Sequence, residues 1–88
     1  MANNESLDAL RQQIDTIDDQ LNELFQQRME LVEQVACYKQ EHNIEVLDTT
    51  REQEILARLT HNQTPEQAAQ TRAIFKHIFE VSRVAQSK

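Results

Sequence analysis

The positions of a few basic residues give the first indication of function in this 88-residue chain. Apolar residues recur at alternating steps of three and four, which is typical of one apolar face of a long helix. This apolar seam consists of Leu7, Leu10, Ile14, Ile17, Leu21, Leu24, Leu31, Val35 and Tyr38. Arg28 takes the position between Leu24 and Leu31 where another apolar residue is expected. Because a guanidinium is costly to bury without an anion, Arg28 must pair with a carboxylate or bind an anionic ligand.

Two further cations have informative distances from Arg28 along the predicted helix. Lys39 follows it by eleven residues, or three turns, so the two share one face with their backbones about 16 Å apart. Arg11 precedes it by seventeen residues, about 25 Å, which is too far to reach the same site. An antiparallel two-fold axis near residue 22 or 23 would bring the partner's Arg11 between them. The spacing predicts a site with two cations from one chain and one from the other.

Polar residues later in the chain match such a site. Ser82 and Gln86 continue an apolar stripe that begins with Phe75 and Phe79, at spacings of four, three and four residues. Arg51 and Glu52 lie in the first turn of another predicted helix. A cavity lined by several cations, a glutamate, a serine and a glutamine suits a small polyanion that carries hydroxyl groups. No activated nucleophile is evident.

The elements that position these residues are all expected to be helices. The chain has no glycine, one proline and no strand-like alternation, which indicates an all-α fold. We predict one long, one short and one medium helix, at about 6–41, 49–61 and 65–86, within a single domain, 1–88. The expected caps are Ser6, Asp48 or Thr49, and Thr64, with Glu52 and Gln67 placed as in capping boxes. On the third helix the expected core stripe is Ile74, Phe75, Ile78 and Phe79.

The length of the apolar seam points to assembly. From Leu7 to Tyr38 the helix would be about 48 Å long, whereas a compact domain of this size has a radius of gyration near 12 Å. A monomer cannot cover such a face, so we expect a two-fold homodimer in which two chains share one core. A simple coiled coil is the alternative, but the later helices also have apolar faces that must pack.

Composition excludes several classes of function. The net charge of −6 disfavours nucleic acid and anionic membranes as partners. We expect neither a signal peptide nor a membrane span, because the apolar runs are short, and we therefore expect a cytoplasmic protein. Cys37 is the only cysteine and has no metal-ligand spacing with the three histidines, so no disulfide, metal or cofactor is expected.

These residues together resemble the all-helical (AroQ-type) chorismate mutase family. The resemblance covers nearly the whole chain, and it lies in residues 10–15, Asp18, residues 28–31, Val35, residues 38–39, residues 46–52, Ser82 and Gln86. It implies an intertwined homodimer with two sites that isomerises chorismate to prephenate, in the shikimate pathway of aromatic amino acid biosynthesis. The reaction is a [3,3] rearrangement that needs no cofactor.

The resemblance also implies a role for each candidate residue. Arg28 and the partner's Arg11 would bind the two carboxylates of chorismate, while Lys39 and Gln86 would donate hydrogen bonds to the ether oxygen. Lys39, Gln86 and Arg28 would thus be the catalytic residues. The rest of the pocket would be lined by Arg51, Glu52, Ser82 and the backbone near Asp48, with Glu52 accepting a hydrogen bond from the ring hydroxyl.

Other interpretations of the same residues remain open. Arg28 can be a structural ion-pair member, Asp48 can be only a helix cap, and Ser82 can bond back to a helix carbonyl. Solvated surface charges are expected at Arg58, Arg72, Lys76 and Arg83. Two other functions also remain: isochorismate pyruvate lyase, which resembles the mutase in fold, and a non-catalytic helical dimer with a regulatory or docking role.

Overall fold

The computed structural model describes residues 6–88, and all regular secondary structure in that range is helical. The helices are α1 (Leu7–Glu41), α2 (Thr49–Thr60) and α3 (Pro65–Gln86). The predicted all-α class with three helices is thereby confirmed. Residues 1–5 of the predicted domain lie outside the described residues.

The chain divides into two compact units, and the boundary between them lies inside α1, between Leu31 and Val32. The N-terminal unit contains the first part of α1. Its helix begins with Ser6 as cap, because the Ser6 hydroxyl accepts a hydrogen bond from the Ala9 amide at 3.1 Å. The C-terminal unit, from Val32 to Lys88, contains the end of α1 together with α2 and α3.

The apolar seam of α1 is exposed in the single chain. In the N-terminal unit the exposed fraction of its apolar residues runs from 37% at Leu10 to 61% at Leu24. In the C-terminal unit Val35 and Tyr38 are also exposed, and the buried residue of α1 is Val32. Several large apolar side chains on one face are thus left for contact with another surface.

In the C-terminal unit, α2 and α3 pack against each other. Their buried residues are Ile55, Ala68, Phe79 and Ser82. The rings of Phe75 and Phe79 meet edge to face with centroids 5.8 Å apart. Ile74, predicted to belong to this core, is 60% exposed. The prediction was wrong because Ile74 is rotated by about 100° from Phe75, away from the stripe that continues to Phe79.

The turn after α1 is a Schellman motif built on an asparagine. Asn43 has a positive φ of 54°. The Ile44 amide donates to the Lys39 carbonyl at 2.8 Å, and the Asn43 amide donates to the Gln40 carbonyl at 3.4 Å. Glycine usually occupies the left-handed position, and this chain has none. Asparagine tolerates the left-handed backbone conformation better than most other residues that have a Cβ atom.

The caps of α2 and α3 differ in how well the sequence predicted them. Asp48, one of the two predicted caps, begins α2, and its Oδ1 accepts from the Arg51 amide at 2.9 Å. The capping box expected between Thr49 and Glu52 is wrong, because Thr49 is already the first residue of the helix. At α3 the predicted capping box is confirmed: Thr64 Oγ1 accepts from the Gln67 amide, and Gln67 Oε1 accepts from the Thr64 amide, both at 3.1 Å.

Over residues 6–88, none of the helices combines the length and apolar character needed to cross a membrane.

Candidate functional site

The eight predicted site residues are distributed over both units. Arg11 and Arg28 belong to the part of α1 in the N-terminal unit, where Arg11 is exposed and Arg28 is half-buried. The C-terminal unit contains the other six, which are Lys39, Asp48, Arg51, Glu52, Ser82 and Gln86. Within that unit, hydrogen bonds hold five of the six side chains in defined places.

Lys39 is anchored to the segment that follows α1. It is half-buried and shares a helix face with Val32 and Ala36, which precede it by seven and three residues. Its Nζ donates to the Val46 carbonyl at 2.9 Å, which the turn at Asn43 brings back toward the helix. An ammonium has three N–H donors, and this is its one side-chain hydrogen bond to residues 6–88. Two donors therefore remain for an acceptor from outside the chain.

Asp48 and Arg51 mark the first turn of α2. The Asp48 carboxylate caps the helix through the Arg51 amide, which is the structural role that the sequence left open for it. The Arg51 side chain is exposed. As a result, Arg51 has a backbone fixed by the cap and a guanidinium that is accessible to an anion.

Ser82 and Gln86 lie on successive turns of α3. Ser82 is buried, and its Oγ donates to the Ile78 carbonyl at 2.8 Å. This is the bond to a helix carbonyl that was the alternative prediction for Ser82. Gln86 Nε2 donates to the Ser82 carbonyl at 3.2 Å. The other end of this amide, Oε1, is buried and accepts no hydrogen bond from residues 6–88. Because a buried acceptor without a donor costs about 1–3 kcal/mol, this position favours a bound molecule that donates a hydrogen bond to Oε1.

Glu52 joins α2 to α3 through Arg83, which was not among the predicted site residues. Arg83 Nη1 donates to Glu52 Oε2, and the side chains are 31% and 24% exposed, respectively. The prediction that Arg83 is a solvated surface charge is therefore wrong. A signal was present in the sequence, because Arg83 follows Phe79 by four residues and so shares its helix face.

A cavity of about 350 Å³ lies between α2 and α3 in the C-terminal unit. Among its lining residues are Glu52, Leu56, Arg72, Lys76, Phe79 and Arg83. Three cations and one carboxylate thus surround an apolar floor in a chain of net charge −6. The volume is at the lower end of the range for small-molecule sites.

Across residues 6–88, no three His, Cys, Asp or Glu side chains are grouped so that they could hold a metal ion.

The chain is similar to known proteins in both sequence and fold. Residues 10–87 match the model of the chorismate mutase type II family. A solved structure described as a conserved hypothetical protein from Pyrococcus furiosus is 34% identical in sequence, with a TM-score of 0.77. That similarity covers 96% of this chain and 99% of the other. No curated protein is significantly similar to this chain.

Proposed function

Because the chain belongs to the chorismate mutase type II family, we propose that it catalyses the rearrangement of chorismate to prephenate. The observation that carries the proposal is the extent of the family match. It runs from residue 10 to residue 87 and so includes all eight candidate residues. The cationic and amide side chains at these positions are of the kind that the reaction requires.

The chemistry explains why such side chains suffice. In a [3,3] rearrangement a C–C bond forms while the ether C–O bond breaks, with no proton transfer and no covalent intermediate. Catalysis must come from holding the dianionic substrate in its compact diaxial conformer and from stabilising negative charge on the ether oxygen. Cations and neutral hydrogen-bond donors at fixed positions serve both purposes.

Lys39 and Gln86 are proposed as the donors to the ether oxygen. Each is held by a backbone carbonyl, that of Val46 or of Ser82, and each keeps at least one N–H group for the substrate. Donors that are fixed before the substrate binds need no reorganisation in the transition state. The anchoring bonds therefore support their assignment as catalytic residues.

The carboxylates of chorismate are assigned to arginines. Arg28 would bind one of them and the partner's Arg11 the other, since a guanidinium forms paired hydrogen bonds with a carboxylate. Arg51 is exposed at the first turn of α2 and would line the pocket with Ser82 and the backbone near Asp48. Glu52 would accept a hydrogen bond from the ring hydroxyl of the substrate.

The partner's contribution requires a homodimer, which we propose forms through the apolar seam of α1. Nine large apolar side chains of this seam are exposed in the single chain, which supports pairing with an identical face in a two-fold assembly. Sedimentation velocity should give a species of twice the chain mass. Leu24→Glu should shift it toward the monomer, whereas Leu47→Glu, an exposed leucine outside the seam, should not.

The function is tested by following the substrate and identifying the product. Loss of chorismate absorbance with formation of prephenate is the expected result. Isochorismate should be supplied in a parallel reaction, because salicylate and pyruvate from it would instead identify a pyruvate lyase. Failure to convert either compound would leave the non-catalytic helical dimer as the function.

A further inference from the structure

We propose that Arg83 is a positioning residue that neutralises and orients the Glu52 carboxylate for a dianionic substrate. The inference rests on the proposed function, in which Glu52 accepts a hydrogen bond from the substrate hydroxyl. Arg83 is given no role by the family resemblance. Three features support the role: the bond of Arg83 to Glu52, the partial burial of both side chains, and the charge of the ligand.

The geometry leaves Glu52 able to serve both partners. Arg83 Nη1 binds Glu52 Oε2, and Glu52 Oε1 accepts no hydrogen bond from residues 6–88. One carboxylate oxygen is therefore held from α3 while the other is available to a hydroxyl donor. Because Arg83 is 31 residues away in sequence, the bond also fixes the carboxylate relative to a second helix.

Charge gives the physical reason for such a pair. Both side chains are less than one third exposed, so water screens the Glu52 carboxylate only partly. An unpaired carboxylate at this position would repel the two carboxylates of chorismate. Arg83 cancels that charge and leaves the acceptor oxygen in place. Its removal should therefore weaken substrate binding through the carboxylate that it leaves unpaired.

Two other roles for Arg83 predict different behaviour. If Arg83 bound a substrate carboxylate directly, its loss would weaken binding whether or not Glu52 were charged. If it only joined α2 to α3, its loss would lower thermal stability without a specific change in KM. The neutral variant Glu52→Gln separates these roles, because it removes the charge that Arg83 is proposed to cancel while keeping the side-chain length.

The experiment measures kcat, KM for chorismate and thermal unfolding on the full chain and its variants. Arg83→Gln should raise KM about tenfold, in the range expected for loss of a charged hydrogen bond, with a smaller change in kcat. Arg83→Lys keeps the charge and should recover most of that loss. The double variant Glu52→Gln/Arg83→Gln should have a lower KM than Arg83→Gln alone. Arg58→Gln is the matched control and should keep the native KM, because Arg58 is an exposed arginine in the last turn of α2 and does not line the cavity.

Each contrary result has a defined meaning. A native KM in Arg83→Gln, or a double variant with the same or a higher KM than Arg83→Gln, would overturn the inference while native turnover still upheld the proposed function. No turnover by the native chain would overturn the proposed function and this inference with it. If Arg83→Gln does not fold, Arg83→Met provides the same loss of charge with the chain length retained.

Discussion

Lys39 donates a hydrogen bond from its Nζ to the Val46 carbonyl, 2.9 Å away on the other side of the Schellman turn. The bond ties the last turn of α1 to the segment that leads into α2. It holds the ammonium of the proposed catalytic lysine through a backbone atom rather than through a second side chain. The position of this cation is thus linked to the backbone conformation at Asn43.

Removal of the Lys39 ammonium should impair the chemical step. Lys39→Ala is expected to lower kcat at least about a hundredfold, because one preorganised donor contributes roughly 3 kcal/mol of transition-state stabilisation. Steady-state kinetics with chorismate checks this, and circular dichroism should report native helix content. Lys88→Ala, an exposed lysine beyond α3, should keep native turnover. Near-native kcat in Lys39→Ala would contradict the assignment.

The proposed role of Gln86 predicts that one variant has a pH dependence that the native chain should lack. The amide is neutral at every pH, so native activity should be nearly flat between mildly acidic and mildly basic conditions. In Gln86→Glu, a carboxyl can donate to the ether oxygen only while protonated, so activity should fall as the pH rises. The pH profile of kcat/KM for both proteins is the measurement. Gln70→Glu, an exposed position on α3, should retain the native profile. Equal activity of Gln86→Glu and the native enzyme above neutral pH would contradict the role of Gln86.

Complementation between inactive variants tests the shared site. Arg11→Ala and Arg28→Ala homodimers should each be nearly inactive, because every site then lacks one carboxylate contact. Unfolding and refolding them together in equal amounts should give about half heterodimers, each with one intact site. Roughly a quarter of native activity should therefore return. Activity that stays at background would show that Arg11 serves the site of its own chain.

Asn43, whose backbone is in the left-handed conformation after the end of α1, should be replaceable by glycine but not by alanine. Asn43→Ala is expected to destabilise the fold by about 1 kcal/mol, because a Cβ atom without a local hydrogen-bonding group is strained at this φ. Asn43→Gly should be as stable as the native chain. Urea unfolding at one fixed protein concentration measures both. Equal stability of the alanine variant would show that the turn does not require the left-handed conformation.

Signals that act over a few residues made much of the fold predictable. The Thr64, Pro65 and Gln67 sequence defines the start of α3, because a cap and its box involve neighbouring residues only. The all-α class follows from the absence of glycine and of strand-like alternation. The family was recognised from the spacing of charged residues, and the match over residues 10–87 confirms it.

Features that depend on two distant segments were not predictable in this way. Glu52 and Arg83 meet because α2 and α3 pack with a particular relative rotation, which helical periodicity does not determine. Because Asp48 rather than Thr49 is the cap, Glu52 takes no part in a capping box and pairs with Arg83 instead.

The exposed seam of α1 also has a consequence for how the protein responds to dilution. If two chains bury this face together, assembly becomes a second-order step, and the free energy of unfolding depends on total protein concentration. The thermal midpoint should then rise with the logarithm of that concentration. Since each proposed site needs the partner's Arg11, dilution would also reduce the number of complete sites. Specific activity would then decline at low enzyme concentration, although no residue has changed.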